Sequence, residues 1–397
     1  MSNTLLTPSV ITDEALRILH QKATFIRSIN RQYDSSFAKD GAKIGDSLKI
    51  RLPNKYTVTT GAAMSVQDTT ESSVTLQVAT QKHVAFAFSM ADRTLTIDDF
   101  SERYIEPAIS VLAASLEADA LSMYKDVYQF VDDDGVAFDF DTVLAGRQKL
   151  NDALAPLDKN RHALLSNASS RKIVDATKTL FNAQTEIASQ YRDGSMGRAA
   201  GLEFAESSLV LPHTTGTAAK STGYTVNGAT QSGSTITIQT GSTTFLIGDI
   251  VTFAGCNRVH PETKADTGEL MQFVVTANSG ANATSLAISP ALTISGVDQN
   301  VDGYPDNTGA VVKVGAGNGE TLQSNLVYHK DAFAFATADL ILPKGVDFAA
   351  RRVADGISMR IIQDYDINND RMPCRIDVLY GKKTIRPELA VRVHADG

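Results

Sequence analysis

Four groups of residues have the types and spacing that chemistry could use. Asp298, Asn300, Asp302 and Gly303 match the first half of a calcium-binding loop, where alternate side-chain oxygens ring the ion and a glycine makes the sharp turn. The match fails at its twelfth position, where Gly309 stands instead of a bidentate glutamate, and the flanks do not read as helices. A turn-rich loop is the better reading. Asp132, Asp133 and Asp134 could gather a divalent ion, but consecutive aspartates more often make a solvated helix end. Gly315, Gly317 and Gly319 form a glycine string, yet a phosphate cradle needs GxGxxG between a strand and a helix. We expect it to be a flexible exit from the segment before it. The seven histidines (His20, His83, His162, His213, His260, His329 and His394) show no HExxH or related metal spacing. Ser166-Asn167 and Ser195 lie in no nucleophile elbow. The sequence thus predicts no catalytic, cofactor-binding or metal-binding residue, no cofactor, and a protein that is not an enzyme.

What remains is a chain whose elements are arranged for contact. Ala15, Leu19, Ala23 and Ile26 recur at helical spacing within residues 8–30. Residues 34–80 are punctuated by Gly41, Gly45, Pro53 and Gly61 between alternating stretches, Ser47–Leu52 and Ser73–Val78. This predicts a β-hairpin or extended loop with two long arms, too poor in apolar residues to pack on itself. His83–Met90 alternates as a strand. Thr96 and Asp99 suggest a helix start, and Pro107 suits the first turn of a second helical piece. From there Ile109, Leu112, Leu116, Ala120, Met123 and Val127 mark one stripe, predicting a helix over 107–129, roughly 35 Å long. Asp132-Asp133-Asp134-Gly135 is expected to end it. Helices over 139–155 and 169–190, with a short strand at Ala163–Leu165 between them and an extended Leu202–Leu211, predict an α+β domain.

At His213-Thr214 the composition changes. Residues 214–320 are rich in Gly, Thr, Ser, Asn and Val and sparse in charge. Thr235–Gln239, Ile250–Phe253, Met271–Thr276, Ser285–Ile288 and Ala310–Val314 are strand candidates at hairpin spacing, predicting a small all-β barrel or sandwich. After Leu322 the pattern reverts. Asp331–Ala336, Gly356–Ile362, Cys374–Tyr380 and Leu389–Val393 read as strands, the last two joined by a turn at Gly381-Lys382. A β-domain therefore interrupts an α+β domain, whose flanks must pack together for it to close.

Composition narrows the class. The chain has 397 residues, 43% hydrophobic and 21% charged, which suits two or three globular domains with a sizeable core. Its 45 acidic and 37 basic residues leave a net charge of -8, unsuited to direct nucleic-acid binding, which needs a basic surface. Cys256 and Cys374 form no CxxC pair and predict two reduced, partly buried thiols. Residues 1–7 do not read as a secretory signal, and no apolar run is long enough for a membrane helix. Synthesis and folding in the cytosol are expected, with no membrane partner.

Several short motifs, in order along the chain, carry a resemblance. Cys374-Arg375-Ile376-Asp377-Val378-Leu379-Tyr380-Gly381 with Arg386-Pro387-Glu388 resembles the end of the P22-type coat proteins of tailed phages. Gly248-Asp249 with Phe253-Ala254-Gly255, and Thr225-Val226-Asn227-Gly228-Ala229, resemble that family's insertion domain. Tyr191-Arg192-Asp193-Gly194 with Gly201 and Leu211-Pro212 resembles the part just before it. The likeness covers most of the chain from about residue 80; the N-terminal 80 residues match in pattern only.

The resemblance implies an α+β capsid fold of the HK97 type with an inserted all-β barrel. By analogy, residues 1–35 are the N-arm and 36–80 the E-loop, which in this fold lies over a neighbouring subunit. Residues 81–133 and 371–397 would form the peripheral domain with its spine helix. Residues 134–212 and 323–370 would form the axial domain around the five-fold and six-fold axes, and 214–320 the six-stranded inserted barrel. The implied function is a major capsid protein that self-assembles into the icosahedral head shell around the genome. The implied partners are itself in hexamers and pentamers, a scaffolding protein, a portal, a decoration protein, and packaged double-stranded DNA without sequence-specific binding. The implied location is the virion, with assembly in the bacterial host cytoplasm. One departure stands out. The type member carries a long charged loop that bridges subunits at local two-folds; here only Gln231-Ser232-Gly233-Ser234 stands in its place. An encapsulin-like shell of a cellular compartment is the alternative, against which the insertion domain counts. A secreted β-rich adhesin would fit residues 214–320 alone.

Overall fold

The computed structural model describes residues 23–31, 45–62, 64, 66, 71–88, 105–133, 138–177, 196–315, 317–354, 357–367 and 371–395. Expectations for residues 8–22, Thr96 and Asp99, 178–190 and Tyr191–Gly194 lie outside them. The chain forms two compact units. One comprises Met1–Ile50, Ser73–Leu121 and Phe333–Ile385; the other comprises Arg51–Ser72, Ser122–Ala332 and Arg386–Gly397.

The first unit is organised by one long strand, Met372–Thr384. Thr80–Phe88 runs antiparallel along one edge of it, pairing from Phe88 with Met372 to Thr80 with Tyr380. Ile357–Gln363 and then Phe333–Ala338 pair antiparallel along the other edge, with Phe348–Ala354 outermost beyond Ile357–Gln363. The strand continues straight through Gly381-Lys382, where a turn is expected from the sequence. That glycine serves close approach instead: a Cβ there would sit 2.2 Å from the Gln77 carbonyl oxygen. The turn falls later, in a 3₁₀ turn at Pro387–Leu389. Every residue of Phe333–Ala338 is buried, so this strand has no solvent face, and the alternation read from Asp331 reflects residue size, not exposure. Asp46–Arg51 and Ser73–Val78 pair as the arms of the expected hairpin, with Gly45 N–H donating to the Val78 carbonyl at 2.8 Å.

Helix α1, Thr24–Ser28, and helix α2, Glu106–Leu121, complete this unit. Alanines and the first-turn proline favour α2. Its stripe residues Ile109, Leu112, Leu116 and Ala120 are all buried. The helix is shorter than expected, about 24 Å by its residue count. It tightens into a 3₁₀ turn at Ser122–Asp126, closed by Val127 N–H on the Tyr124 carbonyl. Met123 and Val127 remain buried, so the apolar repeat outlasts the helix. Phe130–Asp133 is then a strand rather than a helix end: Phe130 and Val131 are buried and pair parallel with Ala390–Ala395.

The second unit contains a six-stranded mixed sheet in the order Phe130–Asp133, Ala390–Ala395, Asn325–His329, Arg161–Leu165, Leu202–Glu206 and Arg198–Ala199. Helix α3, Phe140–Asp152, starts at a capping box between Asp139 and Thr142. It packs tightly on the sheet: a Cβ on its Gly146 would meet Val393 at 2.8 Å. Helix α4, Asn167–Thr177, is the described part of the helix expected at 169–190.

The same unit contains a closed barrel of six strands, in the order Gly233–Gln239, Ser285–Leu292, Phe273–Val275, Ile250–Phe253, Ala310–Val314 and Ser221–Val226. Tyr224, Ile236, Ile238, Phe245, Val251, Phe253, Phe273, Leu286 and Val311 fill it. Pro212–Thr214 leads into the barrel, Thr321–Gln323 leads out, and the two pair antiparallel. A second hairpin, Asn257–Val259 with Asp266–Leu270, stands beside it. Its second strand is exposed at every residue, so it has none of the alternation that predicts strands.

Candidate functional site

A buried set of polar residues lies where the barrel meets the six-stranded sheet, inside the second unit. His213, just after Pro212, is buried. One ring nitrogen, Nε2, lies 3.0 Å from Asp249 Oδ1, and the other, Nδ1, lies 3.2 Å from the Tyr124 hydroxyl. Asp249 Oδ2 also accepts from the backbone N–H of Gly216 (3.0 Å) and Leu246 (2.9 Å). These bonds hold the Asp249 carboxyl below its usual range despite burial. Burial dominates at His213 and pushes its pKa down, so the ring is neutral. Neutral imidazole with Nε2–H donating to Asp249 and Nδ1 accepting from Tyr124 satisfies all three groups. Burial likewise raises the Tyr124 phenol.

Arg392, on a central strand of the sheet, is fully buried beside this set. It donates to the Gly248 carbonyl at 2.7 Å, and its guanidinium lies 5.9 Å and 5.6 Å from the centres of the Tyr124 and Phe130 rings. Burial lowers its pKa to about 10, leaving it charged at neutral pH. Lys313, also buried, donates to the Gly216 carbonyl at 2.9 Å. The arrangement has the Asp–His–hydroxyl order of a proton relay. Yet Tyr124 is only 4% exposed, so a substrate has no approach to its hydroxyl. Its chemistry is cohesion: charge-assisted bonds between buried groups fix the barrel to the sheet.

A second contact closes the sheet's outer edge. The Gln272 side chain pairs with the Phe130 backbone as another strand would. Its Oε1 accepts the Phe130 N–H at 2.8 Å and its Nε2 donates to the Phe130 carbonyl at 3.0 Å. Lys149 of α3 donates to the same Oε1 at 3.2 Å. These residues line a cleft of about 390 Å³ together with Asp132, Asp152 and Glu269.

The groups weighed from sequence fall elsewhere or into structural roles. Asp302 accepts from the Asn257 N–H, Asn300 bonds Thr293 and Ala291, and Asp298 pairs with Lys55 at 2.8 Å. Asp132 accepts from the Gly315 N–H and pairs with Lys220 at 3.4 Å; Asp134 lies outside the described residues. Among the described residues no His, Cys, Asp or Glu cluster is arranged to hold a metal. Gly315 and Gly319 have positive φ and bend the chain as it leaves the barrel. His329 bonds Asp158 at 3.1 Å and His162 lies 3.7 Å from Glu203. Ser166 caps the start of α4 through Ser169. His20 and Ser195 lie outside the described residues. Cys256 and Cys374 are free and buried, and burial pushes both thiols to about 12. Sequence reasoning missed the junction because His213, Asp249, Gln272 and Arg392 are far apart along the chain. The Gly248-Asp249 pair was visible only as a motif.

At Gln231-Ser232-Gly233-Ser234 the chain makes a short turn that satisfies itself. Gln231 Nε2 donates to the carbonyls of Asn227, Gly228 and Thr237, and its Oε1 accepts the Thr237 N–H. Between the hairpin arms, Tyr56 and Val58 project into solvent, Val58 at 97% exposure.

A family model described as "P22 coat protein - gene protein 5" matches residues 3–393. A search of curated proteins finds no match. Among solved structures, one from Mycobacterium phage Che8 is 12% identical, covers 94% of this chain and 90% of that one, and has a TM-score of 0.49. The capsid of Ralstonia phage GP4 is 8% identical over 95% and 92%, with a TM-score of 0.46. The CUS-3 coat protein I-domain is 30% identical over 23% of this chain and 95% of that one, with a TM-score of 0.19. The family match along nearly the whole chain defines the class as a shell-building subunit of a tailed phage with the HK97-type capsid fold. The chain belongs to the P22 coat protein family. It is a major capsid protein that associates with copies of itself into the icosahedral shell, and so forms part of the virion. A compartment shell of the encapsulin kind is not favoured.

Proposed function

We propose that this subunit works by contact alone, without catalysis, and that its segments divide the contacts as the family resemblance implies. Residues 36–80 reach over a neighbouring subunit. Tyr56 and Val58, exposed between the arms, support this, because apolar side chains so open to water gain from being covered. Residues 1–35 serve as the N-arm, 81–133 and 371–397 as the peripheral domain, 134–212 and 323–370 as the axial domain, and 214–320 as an inserted barrel. The buried junction at His213, Asp249 and Arg392 keeps the barrel in fixed register on the sheet, so that each copy presents the same surface. The self-satisfied turn at Gln231 favours a shell whose two-folds are held by other contacts. Assembly in the host cytoplasm uses a scaffolding protein and a portal, and a decoration protein can follow. DNA is packaged without sequence-specific contact, which suits a net charge of -8.

The observation that carries this reading is the family match across residues 3–393. Its test is electron microscopy of the full chain expressed with and without the scaffolding protein from its own genome. Closed shells with scaffolding protein are expected. Monomers that never close into shells in either case would overturn the reading.

A further inference from the structure

Glu117 is the one carboxylate in the described part of α2 that points into the apolar stripe. It stands between Leu116 and Ala120 and is fully buried. Its two oxygens accept the backbone N–H groups of Phe25 and, at 3.2 Å, Ile26 in α1. The same N-terminal segment is held by two further devices. Phe25 packs edge-on against Phe333 with ring centres 5.5 Å apart. Asn30 makes a parallel bridge, its N–H donating to the Phe333 carbonyl and its carbonyl accepting from Phe335 N–H, both at 3.1 Å.

We infer that Glu117 is a proton-controlled latch on residues 24–30: neutral, it stays buried and keeps the segment docked on α2, and ionised, it drives the segment off. The physical reason is a conflict within one side chain. Two N–H donors favour the carboxylate, but removal from water disfavours it more. Burial lifts the pKa to about 7 from 4.5, against the opposing pull of the Phe25, Ile26 and Thr24 N–H groups. Among the described residues no neighbouring charge settles the conflict. Arg27 of α1 faces solvent. Lys82, on the strand Thr80–Phe88, bonds Ser115 and lies 3.9 Å from Asp119. Lys382 and Tyr380, on the long strand, are both held by Asp119. With the segment released, Glu117 meets water and returns to an ordinary carboxyl. The docked state thus binds a proton that the released state gives up between pH 4.5 and about 7. Docking is strongest at low pH and weakens as pH rises.

The test is hydrogen exchange, read by mass spectrometry on the full chain, for the peptide covering residues 24–30. Each rate is divided by the intrinsic rate at its pH, and the barrel peptide covering 250–253 is the reference. The two pKa values imply that relative protection falls about thirty-fold from pH 5.5 to 8.5. In E117Q, which cannot ionise, the same profile is expected to be flat. I26A removes an apolar anchor and leaves the carboxyl intact. It is expected to lower protection at every pH and keep the slope, which preserves the test if E117Q does not fold. A flat wild-type profile, or the wild-type slope persisting in E117Q, would overturn the latch.

Discussion

Replacing Gln272 with alanine tests whether one side chain holds the barrel in register on the sheet. The substitution removes both bonds to Phe130, at 2.8 and 3.0 Å, and the bond from Lys149 at 3.2 Å. Phe130 lies on the outermost strand of the sheet, and its far edge then has no protein partner for that N–H and carbonyl. A buried backbone group without a partner costs about 1–3 kcal/mol, and a net hydrogen bond is worth about 1 kcal/mol. The adjoining cleft admits water and recovers part of the loss, so Q272A should destabilise the second unit by about 2 kcal/mol. The chain lacks tryptophan, so urea unfolding is best followed by circular dichroism, with hydrogen exchange to localise the change. Protection should fall at residues 130–133 and hold at 250–253. Q272E sharpens the test: it keeps an acceptor for the Phe130 N–H but sets a carboxylate oxygen against the Phe130 carbonyl, a clash relieved by protonation. Q272E should recover stability relative to wild type as the pH falls through the carboxyl range. A loss below about 0.5 kcal/mol in Q272A, with Phe130 exchange unchanged, would refute the clamp.

Two further outcomes follow from the same geometry. Gly381→Ala places a Cβ 2.2 Å from the Gln77 oxygen and 2.8 Å from its carbonyl carbon, both backbone atoms that cannot swing aside. Overpacking of this kind costs about 1–3 kcal/mol, and urea unfolding should show that loss together with faster exchange at residues 73–78. For His213 the folded-state pKa is depressed below 6.5, so its contribution is present above 6.5 and is lost as pH falls below it. The stability difference between wild type and His213→Asn should therefore shrink on acidification from pH 6.5, by up to about 1.4 kcal/mol per pH unit. A difference that stays constant across that range would show that the ring takes up its proton alike in the folded and unfolded states, which would refute the depressed pKa.

The fold was legible where one face of an element is apolar and the other is not, or where turn signals bound a short apolar run. Ile250–Phe253 and Ala310–Val314 were readable to the residue, since turn signals bound them closely. The stripe from Ile109 to Val127 was real, but periodicity reports burial and not hydrogen bonding, so it could not show that the helix gives way at Ser122. Asp266–Leu270, exposed on both faces, carries no period of two to read, and the alternation read from Asp331 was one of residue size in a strand buried on both faces. The junction was the least legible part. Tyr124, His213, Asp249 and Arg392 come from four separate stretches, and only the tertiary fold makes them neighbours. Glu117 left one local trace, an acid at a position of α2 that helical spacing assigns to the buried side.

The strand order of the second unit also sets a schedule for synthesis. All six strands of the barrel lie between Ser221 and Val314, so all of them are synthesised before residue 325 is added. The six-stranded sheet must wait: its third and second strands, Asn325–His329 and Ala390–Ala395, both follow the barrel along the chain. Until they arrive, Phe130–Asp133 has no neighbour along its inner edge, whereas Gln272 is already available for its outer one. A nascent chain can thus complete its barrel while its sheet is unfinished, and the arrival of Ala390–Ala395 decides when that sheet can close.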